Sequence, residues 1–260
     1  MSDGVRINKA LAQAGLGSRR EVERWIRAER LMVNGELAVL GQRLQPTDVI
    51  KLDDKTLDLE LKSEDVCHVL LYNKPVGEVC TRSDPEGRTT VFSKLPDPPS
   101  GRWIGVGRLD INTSGLLMFT TDGDLANRLM HPSSQVEREY AVRVLGELNA
   151  ESLSKLLEGV KLEDGMARFS DVQAGEGEGA NRWYYVVLME GRQREVRRLF
   201  EAVGSRVSRL IRVRYGNVIL ERNHRQGRSV EANANQIAGL QKLATRRREG
   251  RTGGRYLRRR

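Results

Sequence analysis

The sequence predicts an α+β fold: a small N-terminal module followed by a larger mixed domain of strands and helices. Three observations predict it. A helix-capping signature and a tight-turn dipeptide stand close together near the N-terminus. From Cys67 onward, short apolar runs alternate with short helical patterns between Gly and Pro breaks. The chain of 260 residues is 38% hydrophobic with a mean hydropathy of −0.52. That suits one large globular domain or two smaller ones, not a membrane protein.

Residues 1–62 read as a separate module. Arg6 to Ala14 is predicted helical, and Gly15 ends it. Ser18-Arg19-Arg20-Glu21 is a capping box, in which the hydroxyl and the carboxylate each satisfy an N–H that the first helical turn leaves free. The helix it opens runs to about Arg30, with Val22, Trp25 and Ile26 on its apolar side. Arg20, Arg24 and Arg27 recur at helical spacing and, with Arg19, make a basic stripe. Leu31-Met32-Val33 then meets Asn34-Gly35, which tolerates the positive φ of a hairpin turn, before Glu36 to Val39. Mixed charge from Asp53 to Asp65 reads as a linker.

The larger domain is predicted over residues 66–245. His68 to Tyr72 is strand-like and stops at Lys74-Pro75. Pro85-Glu86-Gly87 and Pro96-Asp97-Pro98-Pro99 mark loops. Leu116 to Thr120 is a short apolar strand ended by Asp122-Gly123, and a helix follows to Met130. Tyr140 to Leu145 and Trp183 to Met189 read as strands. Arg194 to Val203 is a helix stopped by Gly204, Val207 to Val213 a strand, and Asn233 to Leu243 a last weak helix. The segment 246–260 is too charged to bury and is expected to be disordered.

Charge narrows the partner class. The formal net charge is +9, and eight arginines against Glu249 place most of it in the last fifteen residues. A second excess lies within 191–225, where ten arginines face three glutamates. Both favour a polyanion, nucleic acid first. Cys67 and Cys80 cannot build a disulfide framework, and His68, His131 and His224 show no zinc spacing. No metal or cofactor is expected. No apolar stretch approaches a membrane span and no secretory signal opens the chain, so with this cysteine usage a reducing cytoplasm is the expectation. A monomer is expected because no oligomerisation pattern is visible.

Three stretches could carry chemistry. Gly105-Val106-Gly107-Arg108-Leu109-Asp110 sets a carboxylate beside an arginine on glycine-flexed backbone. Glu190 to Leu199 places Arg194, Arg197 and Arg198 at helical spacings of three and four, which alone means a surface helix or phosphate contacts. In Arg138-Glu139-Tyr140-Ala141-Val142 a strand tyrosine could simply fill a core. Taken singly, each has a bland reading.

In this order, however, they resemble the signatures of the RsuA/RluB family of pseudouridine synthases. The stretch from Gly107 to Tyr140 carries G-R-L-D-x-N-T-x-G-L-L, T-T-D-G, L-x-H-P and E-R-E-Y. E-G-x-x-R-E-V-R-R and R-L-I-R-V-R-Y-G follow. The resemblance spans about residues 5–240, and residues 5–52 resemble an S4-type RNA-binding domain. Trp103, Cys80-Thr81-Arg82 and the E-R-E-Y stretch are most similar to the RluB branch, which modifies large-subunit ribosomal RNA.

The resemblance implies a bent, mostly antiparallel sheet with flanking helices, and isomerisation of uridine to pseudouridine without cofactor or metal. It implies that Asp110 is the catalytic carboxylate, that Tyr140 stacks on the base and assists proton transfer, and that Arg197 pairs with the aspartate. Leu210 would pack against the base, and Arg108 would fill the space left by the flipped uridine. Arg138 keeps the charge of a lysine common in related synthases, and with Arg194 it joins the substrate-binding set. In the S4-like module Arg19, Arg20, Arg24 and Arg27 would contact RNA backbone. The implied partner is a stem-loop of large-subunit rRNA or a pre-ribosomal particle. The same chemistry on small-subunit rRNA, a tRNA substrate, or a non-catalytic assembly factor are the rival readings.

Overall fold

The computed structural model describes residues 4–57, 66–176 and 180–245. It divides into two units, one of Met1–Val69, Pro96–Gly105 and Phe119–Gly123, the other of Leu70–Leu95, Val106–Met118 and Asp124–Arg260. The predicted tail 246–260 and most of the predicted linker lie outside the described residues.

In the first unit, α1 (Ile7–Gln13) and α2 (Arg19–Arg27) precede a four-stranded sheet. The capping box at α2 forms as predicted: Glu21 N–H donates to Ser18 Oγ at 3.1 Å and Ser18 N–H to Glu21 Oε2 at 3.2 Å. The helix is shorter than predicted, because Ala28 caps it and Glu29 turns left-handed at φ 56°. Strands β1 (Leu31–Val33), β2 (Glu36–Leu37), β3 (Ile50–Leu52) and β4 (Lys55–Leu57) lie in the order β2-β1-β3-β4. Asn34 and Gly35 both hold positive φ at the first hairpin. Ile7, Leu11, Val22, Ile26, Leu31 and Ile50 form the core, with Trp25 packed against it. Each such burial contributes roughly 1.5–3 kcal/mol.

The predicted linker needs correction at its start. Asp53 and Asp54 both adopt positive φ and turn β3 into β4. The Arg30 guanidinium grips Asp53 with Nε at 2.8 Å from Oδ1. Two short acidic side chains tolerate this turn conformation as Asn-Gly does, so charge that reads as a linker is a hairpin.

The main sheet counts nine strands among the described residues: β5 (Val69–Lys74), β6 (Ile104–Val106), β7 (Ser114–Thr120), β8 (Arg138–Leu145), β9 (Asp171–Ala174), β10 (Asn181–Leu188), β11 (Val207–Tyr215), β12 (Val218–Ile219) and β13 (Ser229–Glu231). Seven run in the order β9-β10-β8-β11-β7-β5-β13, while β12 pairs β11 and β6 pairs β7. The β9–β10, β10–β8, β8–β11, β11–β12 and β5–β13 pairings are antiparallel, and β11 runs parallel to β7. Helices α3 (Gly123–Met130), α4 (Ala150–Glu158), α5 (Glu195–Ala202) and α6 (Ala234–Thr245) complete the fold.

The β7–β11 junction admits only glycine at position 115. Gly115 sits opposite Arg212 at φ +105°, and a Cβ there would lie 2.3 Å from the Arg212 carbonyl oxygen. Close approach of two backbones requires the missing side chain. Beneath α5, Phe200 packs against Phe169 and Tyr184, with ring centroids 5.7 and 6.3 Å apart. No helix among the described residues is long and apolar enough to cross a membrane.

Candidate active site

Asp110 stands on the loop between β6 and β7, and every carbonyl from Asp110 to Thr113 has a donor. The Asp110 carbonyl accepts from Thr113 N–H at 2.9 Å and from Lys74 Nζ at 3.3 Å. The Ile111 carbonyl accepts from Gly77 N–H at 2.9 Å. The Asn112 carbonyl accepts from Arg197 Nη2 at 2.8 Å, and that of Thr113 from Lys74 Nζ at 2.9 Å. Cys80 clamps the preceding residue: its Sγ donates to the Leu109 carbonyl and accepts the Leu109 N–H, at 3.2 and 3.4 Å. The loop is thus fixed through its backbone, and the Asp110 carboxylate is left to face a cleft.

That cleft measures about 340 Å³ and is lined by Arg108, Asp110, Thr113, Tyr140, Leu210 and Arg212, among others. Its size falls in the range of small-molecule sites. Tyr140 on β8 and Arg212 on β11 are register partners. Tyr140 is largely buried, and its hydroxyl has no partner among the described residues. Leu210 is buried two residues before Arg212. Arg138 and Arg212 lie 5.1 and 5.2 Å from the Tyr215 ring centroid, at cation–π distance. Arg138 Nη2 donates to the Tyr215 hydroxyl at 3.2 Å, which itself donates to the Leu129 carbonyl at 2.9 Å. Arg212 Nε donates to the Leu116 carbonyl at 2.7 Å, tying the strand that follows the Asp110 loop.

Arg197 stands behind this wall and not in it. It is buried, with Nη1 on the Val207 carbonyl at 3.1 Å and Nη2 on that of Asn112. No direct ion pair joins it to Asp110 among the described residues, so the expected pairing is not a contact in this structure. Asp110 acts on it only as a favourable charge: burial, then Arg194, lowers the Arg197 pKa, and Asp110 opposes that. The expectation of one arginine surface on α5 also fails. Arg198 forms a two-pronged ion pair with Asp164, with N–O distances of 2.9 and 2.8 Å, while Arg197 points inward. Arg194 precedes the helix at a left-handed φ of 50°, is exposed and lines the cleft.

Arg108, Asp110, Arg138, Tyr140, Arg194 and Leu210 therefore meet at one cleft. Arg19, Arg20, Arg24 and Arg27 are all exposed on α2 in the other unit. His131 caps the short Pro132–Ser134 helix. No group of three or more His, Cys, Asp or Glu that could hold a metal ion occurs among the described residues.

Sequence reading missed Lys74, Cys80, Arg212 and Tyr215. Lys74 is wholly enclosed, so burial lowers its pKa, with Cys80, Glu78 and Asp110 opposing. It ends β5, whose six residues are all buried, a run that the sequence reading stops at Lys74-Pro75. Cys80 ties the backbone that leads into the Asp110 loop. Burial holds its pKa up, which disfavours the reactive thiolate.

A carboxylate held on a fully tied loop, opposite a strand-borne tyrosine and a buried leucine, fits an enzyme that encloses one flat base. The chain belongs to the RNA pseudouridylate synthase family, which residues 68–202 match, and residues 5–50 match the S4 domain. It is similar to the protein named Ribosomal large subunit pseudouridine synthase B of Vibrio cholerae, 55% identical over 95% of this chain and 77% of the relative. The protein of that name from Pseudomonas aeruginosa is 57% identical over 90% of this chain, which spans 61% of that relative's length. A crystal structure of pseudouridylate synthase matches 91% of this chain and 100% of its own, with a TM-score of 0.63 at 25% identity.

Proposed function

We propose that this protein isomerises uridine to pseudouridine in 23S, large-subunit ribosomal RNA. The observation that carries the reading is the Asp110–Thr113 loop, each carbonyl tied, presenting its carboxylate to a cleft walled by Tyr140 and Leu210. The reaction breaks N1–C1′, turns the uracil, and joins C5 to C1′. C5 loses a proton and N1 gains one, so the isomerisation is balanced without any co-reactant.

Bond cleavage places positive charge on the sugar, which the Asp110 carboxylate stabilises, as in glycoside hydrolysis. Uridine in a stem must leave the stack at a cost of a few kcal/mol. Tyr140 and Leu210 hold the extruded base, with base–aromatic stacking worth about 1–3 kcal/mol. Arg108 fills the gap left in the RNA, Arg138 and Arg194 contact the substrate, and Arg197 positions the loop through Asn112. Residues 1–62 form the S4-like module, whose Arg19, Arg20, Arg24 and Arg27 meet phosphates and set position rather than sequence. Residues 66–245 carry catalysis, and the arginines of 246–260 add salt-dependent affinity. The substrate is a stem-loop, free or in a pre-ribosomal particle, and the enzyme acts as a cytoplasmic monomer.

The test is pseudouridine mapping of total rRNA and tRNA from a strain lacking the gene, complemented with wild type or Asp110→Asn. Loss of one large-subunit pseudouridine, restored only by wild type, is expected. A lost small-subunit or tRNA site moves the substrate; no lost site, or rescue by Asp110→Asn, overturns the reading.

A further inference from the structure

Glu195 opens α5 and lines the cleft, yet only 3% of its surface is exposed. One carboxyl oxygen, Oε2, accepts the Arg192 N–H at 2.9 Å. The other, Oε1, is enclosed and has no hydrogen-bond donor. The nearest cation is committed elsewhere. Arg192 Nε donates to Glu190 Oε2 at 3.1 Å and lies 4.0 Å from Glu195 Oε1. Its terminal nitrogens donate to the carbonyls of Asp164 and Met166 at 3.3 and 2.8 Å. Arg192 Nε thus stands beside both carboxyls and brings Glu190 and Glu195 to one guanidinium. Two facing carboxylates, one of them dry, do not both stay ionised; a proton between them supplies the missing donor and removes the repulsion.

We propose that Glu195 carries a proton which it donates to Glu190, and that this shared proton fixes the Gly191–Arg194 segment beside the cleft. Glu195 is then a positioning residue for the reaction. The positioning half rests on the proposed isomerase function, and the proton itself does not.

The surroundings support a proton near neutral pH. Burial is the main influence and raises the Glu195 pKa to about 7; the Arg192 N–H opposes it, Glu190 adds to it, and the Arg192 charge again opposes. The other charged groups facing this corner are Arg198 on α5, with Glu163 and Asp164 on the turn after Leu162. Arg198 is neutralised by Asp164 and supplies no bond to Glu195. Gly191 lies against the Arg138 guanidinium, where a Cβ would be 3.6 Å from Nη1. Ionising Glu195 drives Glu190 away and moves Gly191 with it. That loosens the support of Arg138 and shifts Arg192 and Arg194, all of which line the cleft.

Glu195→Gln keeps a donor for Glu190 and an acceptor for the Arg192 N–H at every pH. Turnover on large-subunit rRNA transcript is measured for both enzymes, with thermal melts to verify folding. The kcat/KM ratio of Glu195→Gln to wild type is expected to rise about tenfold between about pH 7 and pH 8.5. Parallel profiles, or a folded Glu195→Gln enzyme inactive at all pH, overturn the positioning role. Infrared difference spectra test the proton without turnover. Wild type should show a carboxylic-acid carbonyl band that titrates near neutral pH and is missing from Glu195→Gln; identical spectra overturn the shared proton. If wild type modifies no RNA, the isomerase reading and the positioning role fall, and the spectra still decide the proton.

Discussion

Lys74 Nζ lies 3.3 Å from the carbonyl oxygen of Asp110, so a wholly buried cation holds the backbone of the residue that carries the carboxylate. The same ammonium takes the carbonyls of Thr113 and Pro75, each at 2.9 Å. Holding the loop by its backbone leaves the Asp110 carboxylate uncommitted among the described residues. Lys74→Met removes three donations at once and takes this donor from the enclosed Thr113 carbonyl and the part-buried Pro75 carbonyl, while Asp110 keeps the Thr113 N–H. At about 1–3 kcal/mol for each unsatisfied group, a loss of roughly 2–5 kcal/mol is expected, read by denaturant unfolding. Turnover should fall in step; an unchanged unfolding midpoint would contradict the tie.

Arg197 spans two carbonyls, those of Asn112 and Val207, with separate nitrogens. A lysine has one nitrogen and cannot reproduce the fork. Arg197→Lys is expected to lower kcat at least tenfold, with stability down by about 1–3 kcal/mol. Because Arg197 does not line the cleft, KM should change little. Single-turnover assays with separate binding isotherms check this, and a pure KM effect would count against a positioning role.

The basic stripe of α2 makes a different kind of prediction. Arg20, Arg24 and Arg27 are exposed, and the Arg27–Glu23 pair at 3.7 Å is a surface contact of little strength. Each arginine that meets a phosphate should contribute about one unit to the slope of log affinity against log salt, so Arg24→Gln lowers the slope by about one. Filter binding at several salt concentrations measures it. An unchanged slope removes Arg24 from the RNA interface.

Glu195 also ties stability to pH. Its folded-state pKa, about 7, lies above the unfolded carboxyl value, so the folded protein binds more protons between the two. Stability from this group is therefore present below the unfolded value and is lost as pH rises toward 7. Glu195→Gln has no such loss. Its melting temperature is expected to exceed that of wild type at pH 8, with the gap closing toward pH 5.

What was legible in the sequence follows from range. The Ser18–Glu21 capping box and the Asn34-Gly35 hairpin are local chemistry, and both formed where the residues stand. The Asp110 loop could be found from its motif, but not what holds it. Its donors come from Lys74, Gly77 and Arg197, and no local pattern links residue 112 to residue 197. The Asp53-Asp54 turn was hidden because the same charges suit a solvated linker. On α5, helical spacing aligned Arg194, Arg197 and Arg198 but could not say which of them the fold would enclose.

The tie from Arg197 to Asn112 bridges 85 positions, and that from Arg212 to Leu116 bridges 96. A growing polypeptide thus exposes Asp110 and Tyr140 long before the groups that brace them exist. A fragment ending before Val207 holds Asp110 and Tyr140 yet lacks the strand that carries Leu210 and Arg212, and is expected to be inactive on RNA.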